Sequence, residues 1–188
     1  MDDLQGFLAT FPMWIQAIFL IVVVTVGVLF GNRRRSKNAL SFIRKSSKTY
    51  SPGQSGKDAT TDLKKQQISH LKISYSPKPD NDPDPGEVVW TWVPFVENDG
   101  RGKDRPVLII ARIDSSTVAG CYMSTKLHRG FIEVGPGPWD KQGRNSYLNP
   151  ARVLRVTHKG MRREGAIMSM TTFKGVVEKL TRVLSIES

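Results

Sequence analysis

Cationic and hydroxyl-bearing side chains gather at predicted strand ends in the second half of this chain, and together they could act on a phosphate group. The set comprises Arg105, Ser124, Thr125, Lys126, His128 and Arg129. An arginine guanidinium presents a planar fork of donors that matches phosphate oxygens, and hydroxyl groups donate to the same oxygens. Metal-free RNA cleavage needs little else, because the ribose 2′-hydroxyl is the nucleophile and the protein has only to move protons and neutralise charge.

A structural role for the same arginine is the alternative at this stage. Asp104 directly precedes Arg105, and an ion pair between the two would leave no guanidinium available for a ligand. The residues alone leave both interpretations open.

Several other kinds of site are disfavoured by the sequence. Cys121 is the only cysteine, so no internal disulfide can form, and its apolar setting predicts a small buried hydrophobe. The histidines, at positions 70, 128 and 158, show no paired metal-ligand spacing. No glycine-rich phosphate loop or nucleophile elbow is present. We therefore expect no cofactor or metal, and no nucleotide hydrolase, metalloprotease or serine hydrolase.

The charge of the chain points to an anionic partner. Its formal net charge is +11, with a basic excess both before and after residue 85. Such an excess favours nucleic acid or an anionic membrane surface. The residues expected to contact nucleic acid, through backbone phosphates or a stacked base, are Arg101, Lys103, Lys126, His128, Arg129 and Trp92.

The elements that must position these residues are mostly short strands. A β-branched and aromatic run at 88–93 and a continuous apolar run at 107–110 predict two strands joined by a polar loop. Further short strands are predicted at 117–123, 131–134, 152–156 and 165–168, followed by a helix over 172–184 with one apolar face. No crossover helices separate the strands, so we expect a mainly β fold, a small barrel with one helix packed on it.

The amino-terminal segment, residues 1–32, predicts a single membrane-spanning helix. The stretch of about residues 12–30 is almost wholly apolar and long enough to cross a bilayer core. Asp2 and Asp3 precede it and Arg33–Arg35 follow it, an arrangement unlike that of a cleaved signal peptide. The positive-inside rule then predicts a single-pass protein of the cell membrane, with its amino terminus outside and its carboxy-terminal domain in the cytoplasm.

Residues 33–84 predict a basic, flexible cytoplasmic linker. They are rich in Ser, Lys, Gln, Pro and Asp, and apolar residues are too sparse to offset the entropy lost on ordering. A short helix between 62 and 73 is one exception, and the basic cluster at 33–48 is expected to contact anionic lipid head groups. The predicted folded domain therefore covers residues 85–188.

Residues 85–184 resemble the PemK/MazF family of toxin endoribonucleases. The motifs that carry the resemblance are PGEVVW at 85–90, KDRPVLII at 103–110 and MSTK at 123–126. The resemblance implies an SH3-like barrel with a carboxy-terminal helix, a homodimer and metal-independent cleavage of single-stranded RNA. It also implies a 2′,3′-cyclic phosphate product and inhibition by an antitoxin peptide.

The same resemblance implies which residues act. The family's catalytic arginine, in its Arg-Pro step, falls on Arg105, and its catalytic threonine falls on Ser124, or on Thr125 if the register slips by one. Serine keeps the hydroxyl but lacks the methyl that restricts its rotamer. The membrane segment and linker depart from the pattern of a small soluble toxin. The alternative function is a non-catalytic module that binds nucleic acid or a partner at the inner membrane face.

Overall fold

The β-branched and apolar runs of the sequence pair into antiparallel strands. The computed structural model describes residues 50–78, 80 and 82–186. Its strands are β1 (Thr61–Asp62), β2 (Glu87–Pro94), β3 (Gly102–Asp114), β4 (Thr117–Ser124), β5 (Ile132–Gly135), β6 (Ser146–Leu148), β7 (Leu154–Thr157) and β8 (Arg162–Ile167). Its helices are α1 (Lys65–Ile68) and α2 (Met170–Ile186), with 3-10 turns at Gly56–Asp58 and His158–Gly160.

The sheet places the longest strand, β3, near its middle. The strand order is β1-β7-β4-β3-β2-β8, and β5 and β6 form a pair that joins β4 through β6. Every pairing is antiparallel. The prediction of a mainly β fold closed by a carboxy-terminal helix is confirmed. Its finer assignment to an SH3-like barrel stays a prediction.

Strand β3 contributes to two apolar cores, one on each face. Leu108 and Ile110 belong to the core that α2 covers, whereas Val107 and Ile109 belong to the core on the other face. Successive side chains of a strand point to opposite faces, so a continuous apolar run is buried on both sides. Each such side chain contributes about 1.5–3 kcal/mol on full burial.

The last helix covers one of these cores with a single apolar face. Phe173, Val176 and Leu180 recur at intervals of three and four residues and are buried against the sheet. The Ser169 hydroxyl caps the helix by accepting a hydrogen bond from the Thr172 amide at 3.1 Å. The predicted helix over 172–184 is therefore confirmed, with two more residues at each end.

The described residues between 50 and 84, expected to belong to a flexible linker, instead pack on the sheet. Strand β1 pairs with β7, the Leu63 side chain is 9% exposed, and the Tyr75 ring lies 5.1 Å from that of Phe173. The predicted helix between 62 and 73 is reduced to the single turn α1. Composition misled here because the few apolar residues of this segment are spaced to reach the core between sheet and helix.

The predicted membrane span at residues 12–30 lies outside the described residues, as does the basic cluster at 33–48. Among the residues that the structure does describe, no helix is long and apolar enough to cross a membrane.

Candidate functional site

Antiparallel pairing brings Arg105 and Ser124 to corresponding positions on neighbouring strands. The last pair between β3 and β4 at this end joins Val107 to Tyr122. Arg105 lies two residues before Val107 and Ser124 two residues after Tyr122, so both strands point these side chains to the same face. Beyond Tyr122, β4 turns to β6, where Ser124 pairs with Tyr147. The two strands thus separate where the candidate residues lie.

The Arg105 guanidinium rests on an aromatic ring. Its Cζ lies 5.1 Å from the centroid of the Tyr122 ring, within the range of a cation–π contact. Asp104 forms its ion pair with Arg162 at 2.7 Å instead. Within the described chain Arg105 has no ion pair or side-chain hydrogen bond, so the alternative of an Arg105–Asp104 pair is wrong.

Ser124 and Thr125 lie at the end of β4 and in the turn that follows it. The Ser124 hydroxyl oxygen accepts a hydrogen bond from the Lys126 amide at 3.1 Å. That bond orients the oxygen and leaves its proton available for donation. Thr125 is exposed.

The three predicted catalytic residues line one cavity of about 200 Å³. Its lining includes Arg105, Ser124, Thr125 and Lys103. The remaining lining residues are Trp90, Asp104, Pro106, Met123, Trp139, Asp140, Arg144 and Ser146. The structure therefore brings together Arg105, both candidates for the catalytic hydroxyl, and Lys103 from the predicted phosphate contacts.

Three further predicted nucleic-acid contacts do not line this cavity. Lys126, His128 and Arg129 are exposed in the turn after β4. The His128 ring lies 4.9 Å from that of Phe131, which in turn meets Tyr122 edge-on at 6.0 Å. This chain of rings connects the turn with the Arg105 contact.

Arg101 and Trp92, also predicted to contact nucleic acid, are engaged by neighbouring residues of the chain. Arg101 is paired with Asp99 at 2.6 Å inside the loop between β2 and β3. Trp92 is half-buried, and its indole covers Gly102 so closely that a Cβ there would lie 2.5 Å from Nε1. Neither residue lines the cavity that contains Ser124.

Sequence reasoning missed Tyr122, Asn149 and Arg152. A second cavity, of about 240 Å³, is lined by Arg105, Tyr122 and Arg152 together with the end of β2. Arg152 Cζ lies 5.9 Å from the Tyr122 ring centroid, and Asn149 Nδ2 donates to the Tyr122 hydroxyl at 2.8 Å. Tyr122 belongs to β4, whereas Asn149 and Arg152 lie just before β7, so no local spacing in the sequence could have grouped the ring with these two residues.

The electrostatics of the lining are set by arginine–carboxylate bonds. Hydrogen bonds from Arg144 lower the pKa of Asp140 to about 2. A hydrogen bond to Asp62 raises the pKa of Arg152.

Burial raises the pKa of Cys121 to about 12, which confirms the prediction of a buried, unreactive thiol.

Potential metal ligands are dispersed in the described part of the chain. Between residues 50 and 186, positions 79 and 81 apart, no three His, Cys, Asp or Glu side chains are grouped as a metal ion would require.

Two solved structures from Deinococcus radiodurans are similar to this chain. One is a MazE–MazF complex, with 18% identity, a TM-score of 0.43, and coverage of 56% of this chain and 98% of that chain. The other is MazF, with 19% identity, a TM-score of 0.43, and coverage of 56% and 99%. Among curated proteins, no match to the chain was found.

The family comparison agrees with the motifs in the sequence. A model of the PemK-like, MazF-like toxins matches residues 84–184, which is more than half of the chain. That range contains Arg105, Ser124 and Thr125 together with the strands that hold them. This chain therefore belongs to the family of PemK-like, MazF-like toxins of type II toxin–antitoxin systems.

Proposed function

We propose that this protein is a toxin endoribonuclease that cleaves single-stranded RNA without a metal ion. The observation that carries the proposal is the Arg105 guanidinium, which rests on the Tyr122 ring and makes no ion pair within the described residues, while Arg105 and Ser124 line the same cavity. A cation placed in this way can bind a phosphodiester without first giving up a carboxylate. Family membership supports the same function.

The chemistry would divide between two side chains. As the 2′-hydroxyl attacks and gives its proton to solvent water, Arg105 would donate to the non-bridging phosphate oxygens. Arg105 would then protonate the departing 5′-oxygen and recover a proton from solvent. The Ser124 hydroxyl would donate to the same phosphate and hold it in line. The products would be a 2′,3′-cyclic phosphate and a 5′-hydroxyl.

The substrate would bind along the positively charged rim of the cavity. Lys103, Lys126 and Arg129 are exposed and close in sequence to the catalytic pair, so they would contact the neighbouring backbone phosphates. The His128 and Phe131 rings lie 4.9 Å apart in a tilted arrangement, and either could provide a face for a stacked base.

Cleavage and binding are separated by one assay on the purified full chain. The protein is incubated with single-stranded RNA in EDTA, and cyclic-phosphate ends are measured. We expect cleavage by the wild type and none by Arg105→Ala, with the circular dichroism spectrum unchanged. Arg182→Ala, which removes an equal charge from the exposed helix surface, is the matched control and should cleave normally.

Two results would contradict this assignment. Undiminished cleavage by Arg105→Ala would remove Arg105 from the mechanism. RNA binding without cleavage by the wild type, with a steep dependence on salt, would instead support the non-catalytic binding module.

The proposal includes a membrane location and two protein partners. The apolar stretch at 12–30 would anchor the chain in the cell membrane with the toxin domain inside, and a second copy and an antitoxin peptide would bind that domain. In intact cells carrying Cys121→Ala, a membrane-impermeant maleimide should label Asp3→Cys but not Lys57→Cys. Labelling of Lys57→Cys from outside the cell would contradict the proposed orientation.

A further inference from the structure

Asp62 reaches the candidate site from outside the family domain. The family match begins at residue 84, whereas Asp62 belongs to β1 and pairs there with Leu154 of β7. Its two carboxylate oxygens accept from Arg152 Nε at 2.7 Å and Nη2 at 2.8 Å. The bond is therefore a bidentate fork, the most specific geometry that an arginine and a carboxylate can adopt.

The Arg152 guanidinium is held by three hydrogen bonds. Besides its two bonds to Asp62, its Nη1 donates to the Pro94 carbonyl at 3.0 Å, at the end of β2. The side chain is only 14% exposed. Its guanidinium carbon lies over the Tyr122 ring, 5.9 Å from the centroid.

Two guanidinium groups therefore share one ring. Arg105 lies closer to the centroid, at 5.1 Å, and Arg152 lies farther away, at 5.9 Å. Both are attracted by the negative face of the ring, and they repel each other. Of these two arginines, only Arg152 has a carboxylate partner among the described residues. Asp62 thus neutralises and restrains the arginine that would otherwise compete with Arg105.

We propose that Asp62 is a positioning residue for the nuclease reaction. By restraining Arg152, Asp62 keeps the Arg105 guanidinium in its place on the Tyr122 ring. This inference rests on the proposed function. It means that the catalytic unit extends beyond the family domain to strand β1. Without the Asp62 carboxylate, the positive charge of Arg152 has no partner. The Arg152 side chain then moves toward the ring and the substrate phosphate, and Arg105 is displaced.

The test compares variants of the purified full chain. Asp62→Asn should lower kcat by about ten- to a hundredfold, because small misplacements of a catalytic group have effects of that size. KM should not rise, since the net positive charge around the RNA increases. Asp62→Glu keeps the carboxylate and should restore most of kcat.

The double variant Asp62→Asn/Arg152→Gln gives the sharpest result. If Asp62 acts by restraining Arg152, removing the competing arginine should make the double variant faster than Asp62→Asn alone. A purely structural role predicts instead that kcat per folded molecule stays at the wild-type level in both variants, with the folded fraction measured by urea unfolding. Asp58→Asn is the matched control: its carboxylate also bonds a β7 residue, Thr157, and it should cleave as the wild type does.

A readout independent of activity separates this inference from the proposed function. The Arg105 Nε–H resonance, assigned with Arg105→Lys, reports the ring current of Tyr122 and should shift in Asp62→Asn but not in Asp58→Asn. If the wild type does not cleave RNA, the proposed function fails while a shifted resonance still supports the positioning role. An unmoved resonance, or wild-type kcat in Asp62→Asn, would overturn it.

Discussion

Arg105 and Tyr122, on adjacent strands, form a cation–π contact with the guanidinium carbon 5.1 Å from the ring centroid. A ring attracts the cation through its face and uses none of the in-plane N–H donors. A carboxylate at the same place would occupy two of those donors and cancel the charge. Tyr122 therefore holds the arginine while leaving its hydrogen-bonding fork available for a phosphate.

Replacing the ring should weaken catalysis more than removing its hydroxyl. We expect Tyr122→Leu to lower kcat by about two- to thirtyfold, the equivalent of a cation–π contact of about 0.5–2 kcal/mol. Tyr122→Phe loses only the bond from Asn149 and should retain most of the activity. Single-turnover RNA cleavage measures both. Equal losses in the two variants would show that the hydroxyl, and not the ring, matters.

The hydroxyl at the end of β4 can be assigned by comparing two neighbours. Ser124→Ala should lower kcat by about a hundredfold, because it removes a donor to the developing charge. Ser124→Thr keeps the hydroxyl and should remain active. Thr125→Ala is the matched control for the alternative register. If Thr125→Ala is the more damaging change, the catalytic hydroxyl belongs to Thr125.

The packing of residues 50–84 can be tested through stability. Leu63→Ala should lower the free energy of unfolding by about 2–4 kcal/mol, since its side chain is 9% exposed within the core that α2 covers. Leu127→Ala is the matched control, because Leu127 is 64% exposed and its loss should cost no more than about 0.5 kcal/mol. Urea unfolding measures both. Equal, small effects would restore the linker interpretation.

Cys121 gives stability a dependence on high pH. Burial raises its pKa from 9.0 to about 12, so between these values the unfolded chain loses the thiol proton and the folded chain keeps it. Its contribution is fully present below pH 9 and is lost as the pH rises toward 12. Relative to Cys121→Ala, the wild type should therefore lose stability over this range. At pH 8, iodoacetamide should label Cys121 only after unfolding.

The sequence alone was sufficient for elements whose cause is local. The apolar run 107–110 had to be a strand buried on both faces, and the stripe of Phe173, Val176 and Leu180 had to be one face of a helix. Both follow from steric periodicity over a few residues. The motifs around Arg105 and Ser124 identified the family domain for the same reason, since each is contiguous in the chain.

Only the tertiary structure decided which side chains meet. Asp104 pairs with Arg162 and leaves Arg105 to Tyr122, while Asp62 reaches Arg152 across 90 residues of chain. The packing of residues 50–84 was missed likewise, because average composition conceals where a few apolar residues fall. Contacts between distant residues depend on strand register and loop closure, and these are determined by the whole sheet rather than by any local pattern.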